Sequence, residues 1–82
     1  MDVLEEREKT HGSFTDVSYM SQVLKGELRT GESWDRMSFQ QSEALEMICT
    51  KLARIVSGNP DEPDHWLDIE GYARLARESI DK

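Results

Sequence analysis

The chain has 82 residues, a single cysteine and a formal net charge of −7 at pH 7. A chain of this length forms one domain and buries only about 60% of its unfolded surface, so we expect a single helical domain over residues 1–82 with modest stability. The lone cysteine excludes a disulfide framework, and the acidic balance disfavours direct binding to nucleic acid, whose phosphates it would repel.

The N-terminal segment predicts a first helix over residues 2–11. Asp2 stands three residues before Glu5, which is the spacing of a capping residue and its partner, and Gly12 follows as a stop signal. The segment lacks the basic stretch and apolar run of a secretory signal, and no apolar run in the chain approaches the ~18 residues that cross a bilayer. We therefore expect a soluble, cytoplasmic protein without membrane contact.

The second predicted helix spans residues 14–29, between a capping pair formed by Ser13 and Asp16 and a stop signal at Gly31. Its apolar residues recur at intervals of three and four, which predicts a buried stripe. That stripe consists of Phe14, Val17, Leu24 and Leu28, with Met20 and Val23 beside it. We expect Phe14 to enter the core and Trp34, in a loop over residues 30–37, to anchor that loop on the helices.

The third predicted helix spans residues 39–57, from a capping box formed by Ser38 and Gln41 to a stop signal at Gly58. It carries a wide apolar face, made of Leu45, Ile48, Leu52, Ile55 and Val56. Cys49 lies within this apolar stretch, where a lone thiol usually behaves as a small buried hydrophobe.

The fourth predicted helix spans residues 63–80, because Pro63 fits the first turn of a helix. Its predicted buried stripe consists of Trp66, Ile69, Ala73, Ala76 and Ile80. The connection from the third helix is short, which makes the two helices antiparallel neighbours. The sequence therefore predicts an all-α protein, a compact bundle of about four helices with an antiparallel C-terminal helical hairpin.

The hairpin concentrates polar residues that could bind a ligand. Antiparallel pairing brings Lys51 and Arg54 close to His65 and Asp68, and Tyr72 follows on the same edge of the fourth helix. These charges favour either of two interpretations. Asp64 and Asp68 could pair with the two cations and fix the helix register, or Lys51 and Arg54 could bind a phosphate or carboxylate with His65 and Tyr72 as hydrogen-bonding groups.

A second histidine lies at the hinge between the first two helices. Turn formation and capping explain Gly12 and Ser13 but leave Thr10 and His11 without a role. If His11 reaches the edge of the fourth helix, the two imidazoles belong to one polar site. The candidate ligand-binding residues are therefore Thr10, His11, Lys51, Arg54, His65, Asp68 and Tyr72.

Metal binding and catalysis have weaker support in the sequence. Glu43 with Glu46, and Asp64 with Asp68, could hold Mg²⁺ through carboxylate oxygens, but Lys51 and Arg54 lie near enough to neutralise them. No nucleophile motif, phosphate-cradling glycine loop or zinc-ligand spacing is present. We predict no catalytic residue, no bound metal and no cofactor.

Three segments carry the motifs THG-F, K-x-x-R-I and DHW-x-DI-x-GYA; they are EREKTHGSF at 6–14, MICTKLARI at 47–55 and DHWLDIEGYA at 64–73. With these motifs the chain resembles a family of small proteins that phages and prophages encode and whose function is undefined. The Lys, Arg and Asp-Tyr pattern is also similar to a phage nucleotide-modification-associated domain, and the helical layout is distantly similar to MazG-like all-α pyrophosphohydrolases.

The resemblance implies a phage setting, a host-cell cytoplasm and a nucleotide ligand. MazG-like enzymes bind Mg²⁺ with acid pairs spaced ExxE and ExxD; Glu43 and Glu46 fit the first pair, whereas Asp64 and Asp68 depart from the second by one residue.

Three functional hypotheses remain. The first is a non-catalytic or weakly catalytic protein that binds a nucleotide or another phosphorylated ligand where the third and fourth helices meet. The second is an acidic interaction protein that inhibits a host defence or regulatory complex, and the third is a Mg²⁺-dependent nucleotide pyrophosphohydrolase. A supply of two Trp, two Tyr and four Met is generous for so small a core, so we also expect a homo-oligomer.

Overall fold

The computed structural model describes residues 2–80, which form four α-helices and one short 3₁₀ helix. The helices are α1 (Val3–His11), α2 (Phe14–Leu28), α3 (Phe39–Ser57) and α4 (Pro63–Ile80), and the 3₁₀ turn (Trp34–Arg36) lies between α2 and α3. The all-α prediction is confirmed, and the observed helices begin and end within one residue of the predicted ones. None of the helices in this part of the chain combines the length and apolar character needed to cross a membrane.

The predicted helix caps are present. Ser13 Oγ accepts a hydrogen bond from Asp16 N at 3.2 Å, and Ser38 and Gln41 form a reciprocal capping box at the start of α3. Each cap satisfies backbone N–H groups that have no partner inside the helix, which explains why the helices begin where they do.

Helix α3 is the central element of the fold. Both α2 and α4 pack along it, and α1 contacts it through a smaller surface. The predicted antiparallel hairpin of α3 and α4 is confirmed. The molecule measures 46 × 24 × 18 Å along its principal axes.

The core consists of small residues, and this corrects the predicted apolar stripes. Within residues 2–80, the buried hydrophobic side chains all belong to α3 and are Ala44, Cys49, Ala53 and Ile55. Val56 and Trp66, which were expected in the core, are 67% and 53% exposed. The reason is geometric: α3 has neighbours on two sides, so its buried positions lie on both flanks and the apolar stripe between them stays at the surface. Cys49 is buried as predicted.

The prediction that Phe14 enters the core is wrong. Its ring is 83% exposed, while Ser21, about two turns later on α2, is buried against Thr50 of α3 with their hydroxyl oxygens 3.4 Å apart. The contact between α2 and α3 at Ser21 is made by the small polar side chains of Ser21 and Thr50, and the Phe14 ring stays at the surface.

The hinge between α1 and α2, at Gly12, packs against the hinge between α3 and α4, at Gly58. Gly12 has φ +87°, and a Cβ added there would lie 2.6 Å from the carbonyl carbon and oxygen of Ser57. A Cβ on Gly58 would lie 2.5 Å from the nitrogen of Gly12 and the carbonyl oxygen of Thr10. Asn59 N donates to that same Thr10 oxygen at 3.0 Å. The absence of side chains at both glycines thus allows the α1–α2 hinge to dock on the α3–α4 hinge.

Candidate functional site

The first part of the predicted site is an ion pair between α3 and α4. Lys51 Nζ lies 3.0 Å from Asp68 Oδ2, and the Lys51 side chain is 11% exposed whereas that of Asp68 is 45% exposed. This is the interhelical pair that the sequence offered as one interpretation of these charges. The ammonium group is desolvated and needs its carboxylate partner, so Lys51 has little capacity left for a second anion.

The hinge contact brings the two histidines together. Nδ1 of His11 lies 3.3 Å from Nε2 of His65, and the two ring centroids are 4.9 Å apart at an angle of 50°. His65 is 2% exposed, the most deeply buried large side chain described. The sequence-based condition that His11 should reach the edge of α4 is therefore met.

The carbonyl group of Thr10 determines which nitrogen atoms carry protons. His65 Nε2 lies 3.3 Å from the Thr10 oxygen, which can only accept, so this nitrogen carries the proton and donates. His11 Nδ1 then faces the same N–H and accepts from it. The neutral His11 ring consequently carries its proton on Nε2, where it can donate to another group.

A groove opens between α1 and α2, above α3, on the other side of His11. It has a volume of about 520 Å³. Its basic side chains are Arg7 of α1 and Arg54 of α3, together with the His11 imidazole, and Glu8 is the acid that lines it. An apolar wall is formed by Leu4, Phe14 and Val17, and hydroxyl and amide groups come from Ser18, Ser21, Gln22 and Thr50.

Basic groups surround His11 at the groove. Burial lowers the pKa of His11 below its ordinary value of 6.5, and the nearby charges of Arg54, His65, Arg7 and Lys51 lower it further. The second contribution comes from cationic neighbours, which would attract an anion at the same place. Within residues 2–80, no carboxylate forms an ion pair with Arg7 or Arg54, so their charges are not cancelled by contact partners.

The remaining predicted residues lie outside this groove. Tyr72 and Asp68 belong to a shallow depression whose lining comes from α4 alone, so no second element closes over a ligand there. Asp64 is exposed at the start of α4. Thr10 contributes its carbonyl oxygen to the histidine pair and the hinge.

Two of the four acidic residues considered for Mg²⁺ have cationic partners. Glu46 forms an ion pair with Arg29 at the end of α2, and Asp68 pairs with Lys51. Within residues 2–80, no group of three or more His, Cys, Asp or Glu side chains is arranged to hold a metal ion.

The sequence interpretation did not include Arg7 or Thr50. Arg7 lies four residues before His11 on α1, so an i, i+4 pairing of the two could have identified it. Thr50 lies four residues before Arg54 on α3 and could have been found by the same spacing. No sequence signal indicates that the apolar ring of Phe14 would border the groove, because this depends on how α2 approaches α3.

No protein-family model matches this chain, and comparison with curated proteins and with solved structures also gives no match.

Proposed function

We propose that the protein binds a small phosphorylated molecule, with a nucleotide as the first class to test, in the groove between α1 and α2. The observation that carries the proposal is that Arg7, His11 and Arg54 line one groove together with the apolar side chains of Leu4, Phe14 and Val17. Cationic groups beside an apolar wall match a ligand with an anionic end and a flat, weakly polar end.

Guanidinium groups suit the anionic end of such a ligand. Arg7 and Arg54 come from different helices, so they can approach a phosphate from two directions with planar, paired N–H donors. The Nε2–H of neutral His11, which lines the same groove, offers a further donor. The exposed ring of Phe14 can cover the flat end of the ligand by stacking.

The size of the groove supports a small ligand. Its volume of about 520 Å³ lies within the roughly 300–1,000 Å³ of small-molecule sites. The proposed position differs from the sequence-based one, which placed the ligand between α3 and α4 at Lys51, Arg54, His65 and Asp68, because Lys51 and Asp68 neutralise each other. The resemblance to small phage proteins and nucleotide-handling all-α domains supports testing nucleotides first.

Titration calorimetry tests the proposal. Nucleoside mono-, di- and triphosphates of each base, and inorganic phosphate, are titrated into the wild type, Arg54→Ala and Arg36→Ala. A charged hydrogen bond contributes about 1.5–3 kcal/mol, so Arg54→Ala should weaken binding roughly 10- to 100-fold.

Arg36→Ala is the matched control, because it changes the net charge by the same amount from the exposed 3₁₀ turn outside the groove. It should leave the affinity unchanged. The proposal is rejected if no nucleotide binds, or if both substitutions weaken binding equally, since the effect would then come from overall charge.

A further inference from the structure

An apolar surface without a partner lies on the opposite side of the molecule from the groove. Leu45, Leu52 and Val56 follow one another at intervals of seven and four, so they share a face of α3. At about 100° per residue, that face lies roughly 180° around the helix axis from Arg54. The three side chains are 36%, 38% and 67% exposed.

Helix α4 extends this surface on one side. There, Asp68 lies on the flank of His65 that faces Lys51, whereas Trp66 and Ile69 lie on the other flank. We call these five residues, Leu45, Leu52, Val56, Trp66 and Ile69, the apolar back face.

The total accessible surface area of the chain is larger than that of a typical folded monomer of the same mass. The chain exposes 6064 Å², whereas a folded monomer of 9.5 kDa exposes about 5,000 Å². The excess of about 1,000 Å² is close to the ~800 Å² that each partner loses in a standard protein–protein interface. The excess area of the whole chain is therefore about as large as the surface that one partner loses in such an interface.

We propose that the apolar back face binds the same face of a second copy, giving a symmetric dimer with a two-layer helical core. Domains are generally built from two packed layers, and α2, α3 and α4 form one layer with α1 on its other side. A second copy supplies a layer of equal length and equal apolar character, as a two-fold axis requires.

Charge does not oppose this association at the contact itself. The exposed stripe of α3 from Leu45 to Val56 is uncharged, and Lys51 and Arg54 point away from it toward α4 and the groove. Two chains of net charge −7 can therefore meet through this face with their acidic residues at the periphery. The groove stays open in such a dimer, since it lies on the far side of each layer.

Sedimentation velocity tests the proposal, with the wild type compared with Val56→Lys and Leu75→Lys. The wild type is expected at about twice 9.5 kDa at micromolar concentrations, and Val56→Lys at the mass of one chain. Leu75→Lys should remain dimeric, because Leu75 is 62% exposed but lies in the α4 depression outside the back face. A helical far-ultraviolet spectrum confirms that each variant is folded.

The melting temperature of the wild type provides a second measurement that needs no variant. It should rise with protein concentration if two chains unfold together. A wild type that sediments as one chain at hundreds of micromolar overturns the proposal. So does a dimer that survives Val56→Lys, or one that Leu75→Lys dissociates equally, because either result assigns the contact to another surface.

Discussion

Replacement of Gly12 by alanine should undock α1 from the α3–α4 hinge. The φ of +87° with ψ of 172° belongs to a region that only glycine adopts readily, and forcing another residue there costs about 1–3 kcal/mol. The new methyl group would also lie 2.6 Å from backbone atoms of Ser57, which cannot move away as a flexible side chain could.

Together these effects should lower the free energy of unfolding by about 3 kcal/mol. In a domain of this size 1 kcal/mol corresponds to about 4–8 °C, so the melting temperature should fall by roughly 12–24 °C. Gly58→Ala should act in the same direction through its contact with Gly12 and Thr10, but by less, because its φ of −120° is not in the left-handed region.

Two other glycines provide controls for this measurement. Gly26 and Gly71 lie inside α2 and α4, and an added Cβ meets nothing within 4 Å at either position. Alanine should stabilise each helix by about 0.5–1 kcal/mol and raise the melting temperature by a few degrees. Thermal unfolding followed by circular dichroism at one protein concentration measures all four. If Gly12→Ala melts within a few degrees of the wild type, the hinge contact does not hold α1 in place.

Three further outcomes are expected from side chains near the groove and the core. In urea unfolding, Asp68→Ala should lower the free energy of unfolding by about 1–2 kcal/mol, because it leaves the buried Lys51 ammonium unpaired. Lys51→Met should lower it by less than about 1 kcal/mol, because the freed Asp68 carboxylate is half exposed. The reverse order of the two effects would refute this account of the pair. Burial and nearby cations lower the pKa of His11 in the folded protein, so the unfolded chain binds more protons just below pH 6.5. The wild type should therefore lose stability relative to His11→Asn as the pH falls through that range. Equal pH profiles of the two proteins in urea unfolding would contradict the shift. Burial raises the pKa of the Cys49 thiol, so native protein should react with a thiol reagent at least tenfold more slowly than urea-unfolded protein, and equal rates would show an accessible thiol.

The helices were predictable because their signals are local. Ser13 and Ser38 cap the helices that follow them, and Gly12 ends α1, through contacts that span at most four residues. Such contacts depend on neighbours along the chain and can be read from spacing alone. The antiparallel pairing of α3 and α4, and with it the pairing of Lys51 with Asp68, follows from the short connection between them.

The buried set and the groove were less predictable because they depend on how helices approach one another. Spacing showed that Leu52 and Val56 share a face of α3, but not that α3 would have neighbours on both flanks of that face. Similarly, the basic residue Arg54 was expected beside Asp68, whereas it lines the groove with Arg7 because α1 folds back onto α3. That return depends on the close approach of Gly12 to Ser57, which no periodicity encodes.

The α3–α4 hinge also contains a natural fluorophore. Trp66 donates its indole N–H to the Pro60 carbonyl oxygen at 2.9 Å, and the adjacent Asn59 is bonded to Thr10 at the end of α1. Pro60 follows Asn59 in the chain, so a movement of α1 that breaks the hydrogen bond between Asn59 and Thr10 changes the polarity around the half-exposed indole of Trp66. In a Trp34→Phe background, the emission maximum of Trp66 would report the docking of α1 in real time, without an attached dye.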